Sequence, residues 1–343
     1  MSEPASAALF ERLIAQRTGQ ANVHVSNVTW LSNYSINRRM VNHYRVGRAF
    51  VAGDAAHIHS PSGGQGMNTG IQDAFNLGWK LALVVKGRAP DRLLDTYEQE
   101  RLPVAKAVLG GTATGDTSLF SHNPVMSFIR ERMAGPLLNQ PAVRDALFYR
   151  LAQLNINYRS SPLSRDCESP LGPITLLPIR QSETPNLKDW FDFRTAPHTG
   201  DRAPQAHGQC FPAHTATSLF EIFRSGTFTL LLFGGPGQTA EGCACLVNVA
   251  QSVDTWAGDE VKSYVVIAGS EKPQTLDWSG SILLDPNHEM HKTYGAGAQS
   301  LYLIRPDGYV AFRSQPVDWE PLAKYLGKLF LQRERMEALS IAR

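Results

Sequence analysis

The chain has 343 residues, enough for two or three domains with substantial cores. Hydrophobic residues make up 43% and charged residues 19%, an ordinary globular mix that excludes a disordered or fibrous chain. Thirty-three basic against 31 acidic residues leave a net charge of +2, and no basic cluster suggests nucleic-acid binding. No apolar stretch is long enough for a membrane span, and MSEPASAALFERL lacks the basic-then-apolar pattern of a secretory signal. Cys167, Cys210, Cys243 and Cys245 show neither metal spacing nor a disulfide framework, so a reduced, cytoplasmic setting is expected.

In chain order, residues 6–18 predict a helix ending at Gly19, and 21–36 one or two strands. Ala49, Phe50, Val51 and Ala52 predict a short strand buried on both faces, ended by Gly53 and Asp54. In open α/β sheets ligands sit beyond the carboxyl ends of strands, so Asp54 is placed to meet one, and its carboxylate can accept from sugar hydroxyls. The loop that follows holds Pro61, Gly63, Gly64 and Gly66, a glycine density that costs chain entropy and points to close backbone approach.

A helix is predicted from Met67 or Asn68, with Ile71, Ala74, Gly78, Leu81, Ala82 and Val85 as one apolar stripe, Lys86 in its last turn and Gly87 after it. Its start would point at whatever Asp54 touches, offering unpaired amides and a partial positive charge. Phe75 and Trp79 are expected in the core, Asp73 and Lys80 as surface or capping charges, and His57 and His59 in packing or polar roles rather than on a metal. Further helices are predicted at about 91–109, 124–134 and 141–155.

From residue 213 the pattern is helix 217–225, strand 227–233, helix 240–252, strands 263–268 and 281–284, helix 287–294, strand 300–304, a turn at Pro306-Asp307-Gly308, strand 309–313 and helix 318–331. Gly235-Pro236-Gly237-Gln238-Thr239-Ala240 matches GxGxxA after an apolar run. Pro236 removes an amide that would face phosphate, so a plain strand–turn–helix connection is the better reading.

GDAAHIHSPSGGQGMNTGIQDAFNLGWKLA, residues 53–82, resembles the second flavin motif of the class A flavin-dependent aromatic hydroxylases, the phenol hydroxylase and p-hydroxybenzoate hydroxylase superfamily. Tyr44, Arg45, Gly47 and Arg48 resemble the lead-in, and Tyr97, Glu98, Glu100, Arg101 and Pro103 the YExER-x-P segment after the helix. The resemblance implies FAD, with Asp54 on the ribityl chain and the backbone around Gly64, Gly66, Met67 and Asn68 at the pyrimidine edge. It also implies that Pro61 lines the ring. A helix start there would stabilise the anion of reduced flavin by about 1–2 kcal/mol. It further implies an aromatic or polyketide-like substrate, NADPH or NADH as reductant, and hydroxylation through a flavin hydroperoxide, with flavin carrying the chemistry. No side-chain nucleophile or metal is needed, and no catalytic residue is assigned.

The implied fold class is mixed α/β (α+β): the C-terminal part of a p-hydroxybenzoate-hydroxylase-like FAD domain followed by a thioredoxin-like α/β domain. Gly200–Pro204 and Leu303–Tyr309 carry the second resemblance, without a CxxC; Cys243-Ala244-Cys245 falls in a predicted helix. The expected division is 1–43 as a remnant of the substrate-binding middle domain and 44–165 as the FAD-domain part, then 166–212 as connector and 213–335 as the thioredoxin-like domain. The family's opening strand–GxGxxG–helix has no counterpart in residues 1–47, whose only glycines are Gly19 and Gly47. A complementary N-terminal FAD-binding chain is therefore expected as partner, beside a homodimer and the aromatic substrate. The alternative is a catalytically inert remnant or interaction protein that cannot hold FAD alone.

Overall fold

The Ser6 hydroxyl accepts from the Leu9 amide and starts α1 (Ala7–Thr18), and Gly19 at φ 73° ends it. This is a computed structural model that describes residues 3–33, 37–60, 64–120, 132, 136, 139–168 and 185–331. No residue of α1 is buried, and residues 21–33 form no strand, contrary to the expectation. β1 (Arg39–Met40) pairs antiparallel with β4 (His57–Ile58), and β2 (Arg45–Val46) with β3 (Ala49–Phe50). The doubly buried strand predicted at 49–52 is thus only two residues long and half open. Ala49 is exposed, and Phe50, Val51 and Ala52 are only partly buried, packed on the cluster of Tyr44, Leu77 and Tyr97.

α2 (Gly66–Val85) and α3 (Asp95–Phe120) follow as two long helices, and α4 (Pro141–Leu151) starts with proline at its first turn, where no amide is lost. The helix predicted at 124–134 falls, apart from Arg132, outside the described residues. The span 166–212 is more than a connector. β5 (Arg165–Glu168), α5 (Leu187–Thr195) and β6 (His207–Phe211) lie in or at the edge of it, and both strands join the main sheet.

That sheet has eight strands in the order β5-β12-β11-β8-β9-β10-β6-β7, where β7 is Thr215–Ser218, β8 Phe228–Phe233, β9 Val261–Ile267, β10 Ser281–Leu284, β11 Ser300–Ile304 and β12 Val310–Gln315. β8, β9 and β10 run parallel at the centre, and β11–β12 form the predicted hairpin. α6 (Leu219–Phe223), α7 (Ala240–Ala257), α8 (Glu289–Thr293) and α9 (Trp319–Leu329) come close to the predicted helices. One face carries Leu230 and Leu232 under Leu246 and Val253 of α7 and Leu322 and Leu326 of α9. The other carries Leu231 and Phe233 under α5, α6 and α8. Trp79 and Leu83 of α2 belong to the first of these cores, with the Trp79 ring edge-on to Phe228 at 5.4 Å. The helix after the glycine-rich loop is therefore built into the core of the C-terminal sheet.

Candidate functional site

Gly53, at φ 56°, begins a single 3-10 turn, Gly53–Ala55, and donates its amide to the Asp73 carboxylate at 3.0 Å. A Cβ added to Gly70 would stand 3.2 Å from the Gly53 Cα, so the two glycines let this turn press against the first turns of α2. That approach sets the exposed Asp54 beside the helix start. Gln65 at the N-cap turns its side chain to the Arg150 carbonyl instead of capping the helix, and no acidic residue lies in the first turn, so among the described residues no side chain caps the leading amides. Gly64, Met67 and Asn68 are exposed around this end, with Gly64 at φ 65°. The imidazole of His59 lies against Gly66, and its buried Nε2 has no partner among the described residues. An exposed carboxylate, and a helix start and a buried imidazole nitrogen without a partner among the described residues, suit a polyhydroxy chain and an electron-rich ring edge. The structure thus gathers Asp54, Gly64, Gly66, Met67 and Asn68 in one place; Pro61 lies outside the described residues.

The face of α2 that packs inward carries a polar stripe beside Leu77, Trp79 and Leu83, which the hydropathy pattern did not anticipate. Asp73 and Lys80, expected at the surface, are fully buried, and so are Thr69 and Asn76. Phe75, expected in the core, is 66% exposed, and Met67 and Ile71 lie on the same outward stripe. The buried charges meet partners from the YExER segment and the C-terminal hairpin. Asp73 bonds His57 Nε2 and Arg101 Nε, both at 2.7 Å. Glu100 receives Lys80 Nζ at 2.8 Å, Asn76 Nδ2 at 2.7 Å, the Ser161 hydroxyl at 2.6 Å and both terminal nitrogens of Arg305 at 2.7 and 2.9 Å. Arg305 also binds Asp307 and lies over the rings of Trp79 and Tyr158, each 5.2 Å away. Tyr97 donates to the Val51 carbonyl, and Glu98 accepts the Tyr44 amide. These residues escaped the sequence reading as site residues. The available signal was a polar stripe, Thr69, Asp73, Asn76 and Lys80, at helical spacing within an otherwise apolar helix.

Burial pushes the Lys80 ammonium down to about 8, with Arg305 adding to the shift and Glu100 opposing it. Burial alone would raise the Glu100 carboxyl, but Arg305 and Lys80 outweigh it and hold it well below the usual range. A lysine depressed on folding leaves the unfolded chain with more bound protons above pH 8, so stability rises with pH from there toward the lysine's ordinary value of 10.5. Buried tyrosines such as Tyr97, raised mainly by desolvation, oppose this only above their ordinary 10.0. Between pH 8 and 9.5 the chain should gain up to about 2 kcal/mol against urea, and Lys80→Met should remove the slope. Parallel pH profiles for the two proteins would refute the assignment.

The GxGxxA segment turns from β8 into α7, but its glycine turn is covered by the chain itself. A Cβ on Gly235 would stand 3.3 Å from the Ala298 carbonyl carbon, and Thr239 already caps the Gly242 amide. Cys243 and Cys245 lie on α7 outside any disulfide, with Cys243 buried.

Residues 2–112 match the family described as FAD binding domain, and residues 196–331 the family described as aromatic-ring hydroxylase, C-terminal. The chain is 34% identical over 304 residues to 6-methylpretetramide 4-monooxygenase of Streptomyces rimosus, a match covering 85% of this chain and 46% of that one. An aromatic hydroxylase from angucycline biosynthesis superposes with a TM-score of 0.62 at 29% identity, over 96% of this chain and 54% of that chain. Aklavinone-11 hydroxylase, solved with FAD and aklavinone, superposes with a TM-score of 0.60 at 25% identity, over 94% and 51%. The chain spans about half the length of the curated relatives it matches.

Proposed function

Because this chain belongs to the class A FAD-dependent aromatic hydroxylases, we propose that it forms the ribityl and pyrimidine end of the FAD site of a monooxygenase. The close approach of Gly53 to Gly70, which sets Asp54 against the open start of α2, carries this reading. The Asp54 carboxylate accepts from the ribityl hydroxyls. The amides at Gly66, Met67 and Asn68 face the pyrimidine edge, where they favour negative charge, and Gly64 lets the loop fold close to it. Pro61 is assigned to the ring side by its place in the motif alone. Bound FAD supplies electron transfer from NADPH or NADH and the activation of dioxygen, and the chain's residues orient it and exclude water. The substrate class is an aromatic or polyketide-like small molecule, the kind that the relatives' names describe.

The pyrophosphate end calls for a second glycine-rich turn at a helix start, and none stands open among the described residues. We infer that a complementary N-terminal FAD-binding part supplies it and covers the outward stripe of Met67, Ile71 and Phe75. The C-terminal unit is assigned a structural role and subunit association.

Titration with FAD, followed by flavin fluorescence, tests the site. Asp54→Ala should bind about tenfold more weakly, with unchanged Tm because the side chain is exposed. Equal affinities for the two proteins, or no binding by the wild-type chain at millimolar FAD, would overturn the assignment.

A further inference from the structure

Asp73 and Arg101 are both fully buried, and neither lies at the exposed end of α2 where Asp54 stands. One oxygen of Asp73 accepts the Gly53 amide at 3.0 Å and His57 Nε2 at 2.7 Å, tying the 3-10 turn and β4 to the helix. The other accepts Arg101 Nε at 2.7 Å. Arg101 then donates to the Thr69 carbonyl in the first turn of α2 and to the Tyr158 hydroxyl, each at 3.0 Å. One buried ion pair therefore grips both parts of the cradle: the turn that carries Asp54 and the turn that opens α2.

We propose that Asp73 and Arg101 are the positioning pair for the cofactor end of this chain, setting the Gly53–Ala55 turn at a fixed distance and angle from the first turn of α2. The proposal rests on the FAD reading of Asp54 and the α2 start. Neither side chain touches the cofactor; both act through the backbone. The carboxylate is suited to the task because its ionised form accepts three bonds at once. Burial works against that form, but His57 and Arg101 hold the Asp73 carboxyl below its ordinary value. Without the pair, Gly53 loses the acceptor for its amide, and a residue free to leave its left-handed conformation would swing the Asp54 carboxylate away from the helix start.

Asp73→Asn alone leaves the Arg101 guanidinium buried beside a neutral amide, so the double variant Asp73→Asn/Arg101→Gln, which removes both charges, is measured beside it. Amide hydrogen exchange on the full chain is the first readout. Exchange at residues 53–56 and 69–70 should quicken by about tenfold or more in both variants, while the central strands β8 and β9 keep wild-type protection. FAD titration is the second, with affinity expected to fall about tenfold in both variants. Unchanged exchange at 53–56, a uniform rise across the whole chain, or unchanged FAD affinity would each overturn the proposal. So would a double variant that does not fold, since the pair would then be a purely structural element. Should the wild-type chain bind no FAD, the cofactor reading falls by itself, and the exchange pattern still decides whether the pair sets the turn.

Discussion

Arg305→Leu should lower the free energy of unfolding by about 3–5 kcal/mol, the cost of removing one partner from a buried ion pair. The guanidinium is 2% exposed as a residue and is the bidentate partner of Glu100, the neighbour of Asp307 and the cation over Trp79 and Tyr158. Leucine fills part of the volume but leaves two acids, Glu100 and Asp307, facing a single lysine ammonium inside the protein. Glu100→Gln in the same background should recover part of the loss by removing the stranded charge. Urea denaturation of the three proteins checks both statements, and a loss below about 1 kcal/mol in the single variant would show that the pair is solvated after all.

Trp79→Ala should cost a similar amount, about 3–5 kcal/mol, through lost burial and an unfilled cavity. The indole is 8% exposed, stands edge-on to Phe228, and forms the floor on which Arg305 lies. Since Trp79 and Arg305 touch, their effects should not add: the double variant Trp79→Ala/Arg305→Leu should lose less than the two single losses combined by about 0.5–3 kcal/mol. Strict additivity in denaturation measurements would mean that the ring and the cation act independently.

The strands β8 to β12 of the C-terminal sheet were readable because each holds an apolar run bounded by turn residues, whereas β5, β6 and β7, with sequences RDCE, HGQCF and TATS, carry no such run and were missed. Ser281–Leu284 and Ser300–Ile304 fall where the pattern places them, and Pro306-Asp307-Gly308 makes the hairpin turn with Gly308 at φ 82°. The orientation of α2 was not readable. A helical period groups residues onto faces but does not say which face is inside, and the apolar choice was wrong for Phe75 because the polar face meets Glu100, Arg101 and Arg305, the last over 200 residues away in sequence. Charged residues look like surface until their counter-charges are known, and those lie beyond the reach of any local window. The exposed position of Asp54 and the left-handed backbone at Gly64 were legible for the opposite reason: they depend on local backbone shape, which short-range chemistry specifies. The strand at Ala49–Ala52 was overestimated because an apolar run reports the wish for burial and says nothing of whether a neighbouring layer is present.

Two families match this chain in separate stretches, 2–112 and 196–331, as if it were two interchangeable modules. The buried cluster at Glu100 says otherwise. Lys80 and Glu100 come from one stretch and Arg305 from the other, and Trp79 from the first completes a core built by the second. A chain recombined at the border would inherit a cation without its acid, or a hollow where an indole belongs, unless both sides of the seam were exchanged together. Inheritance in this protein is therefore expected to follow the seam, with the residues at positions 79, 80, 100 and 305 travelling as one set.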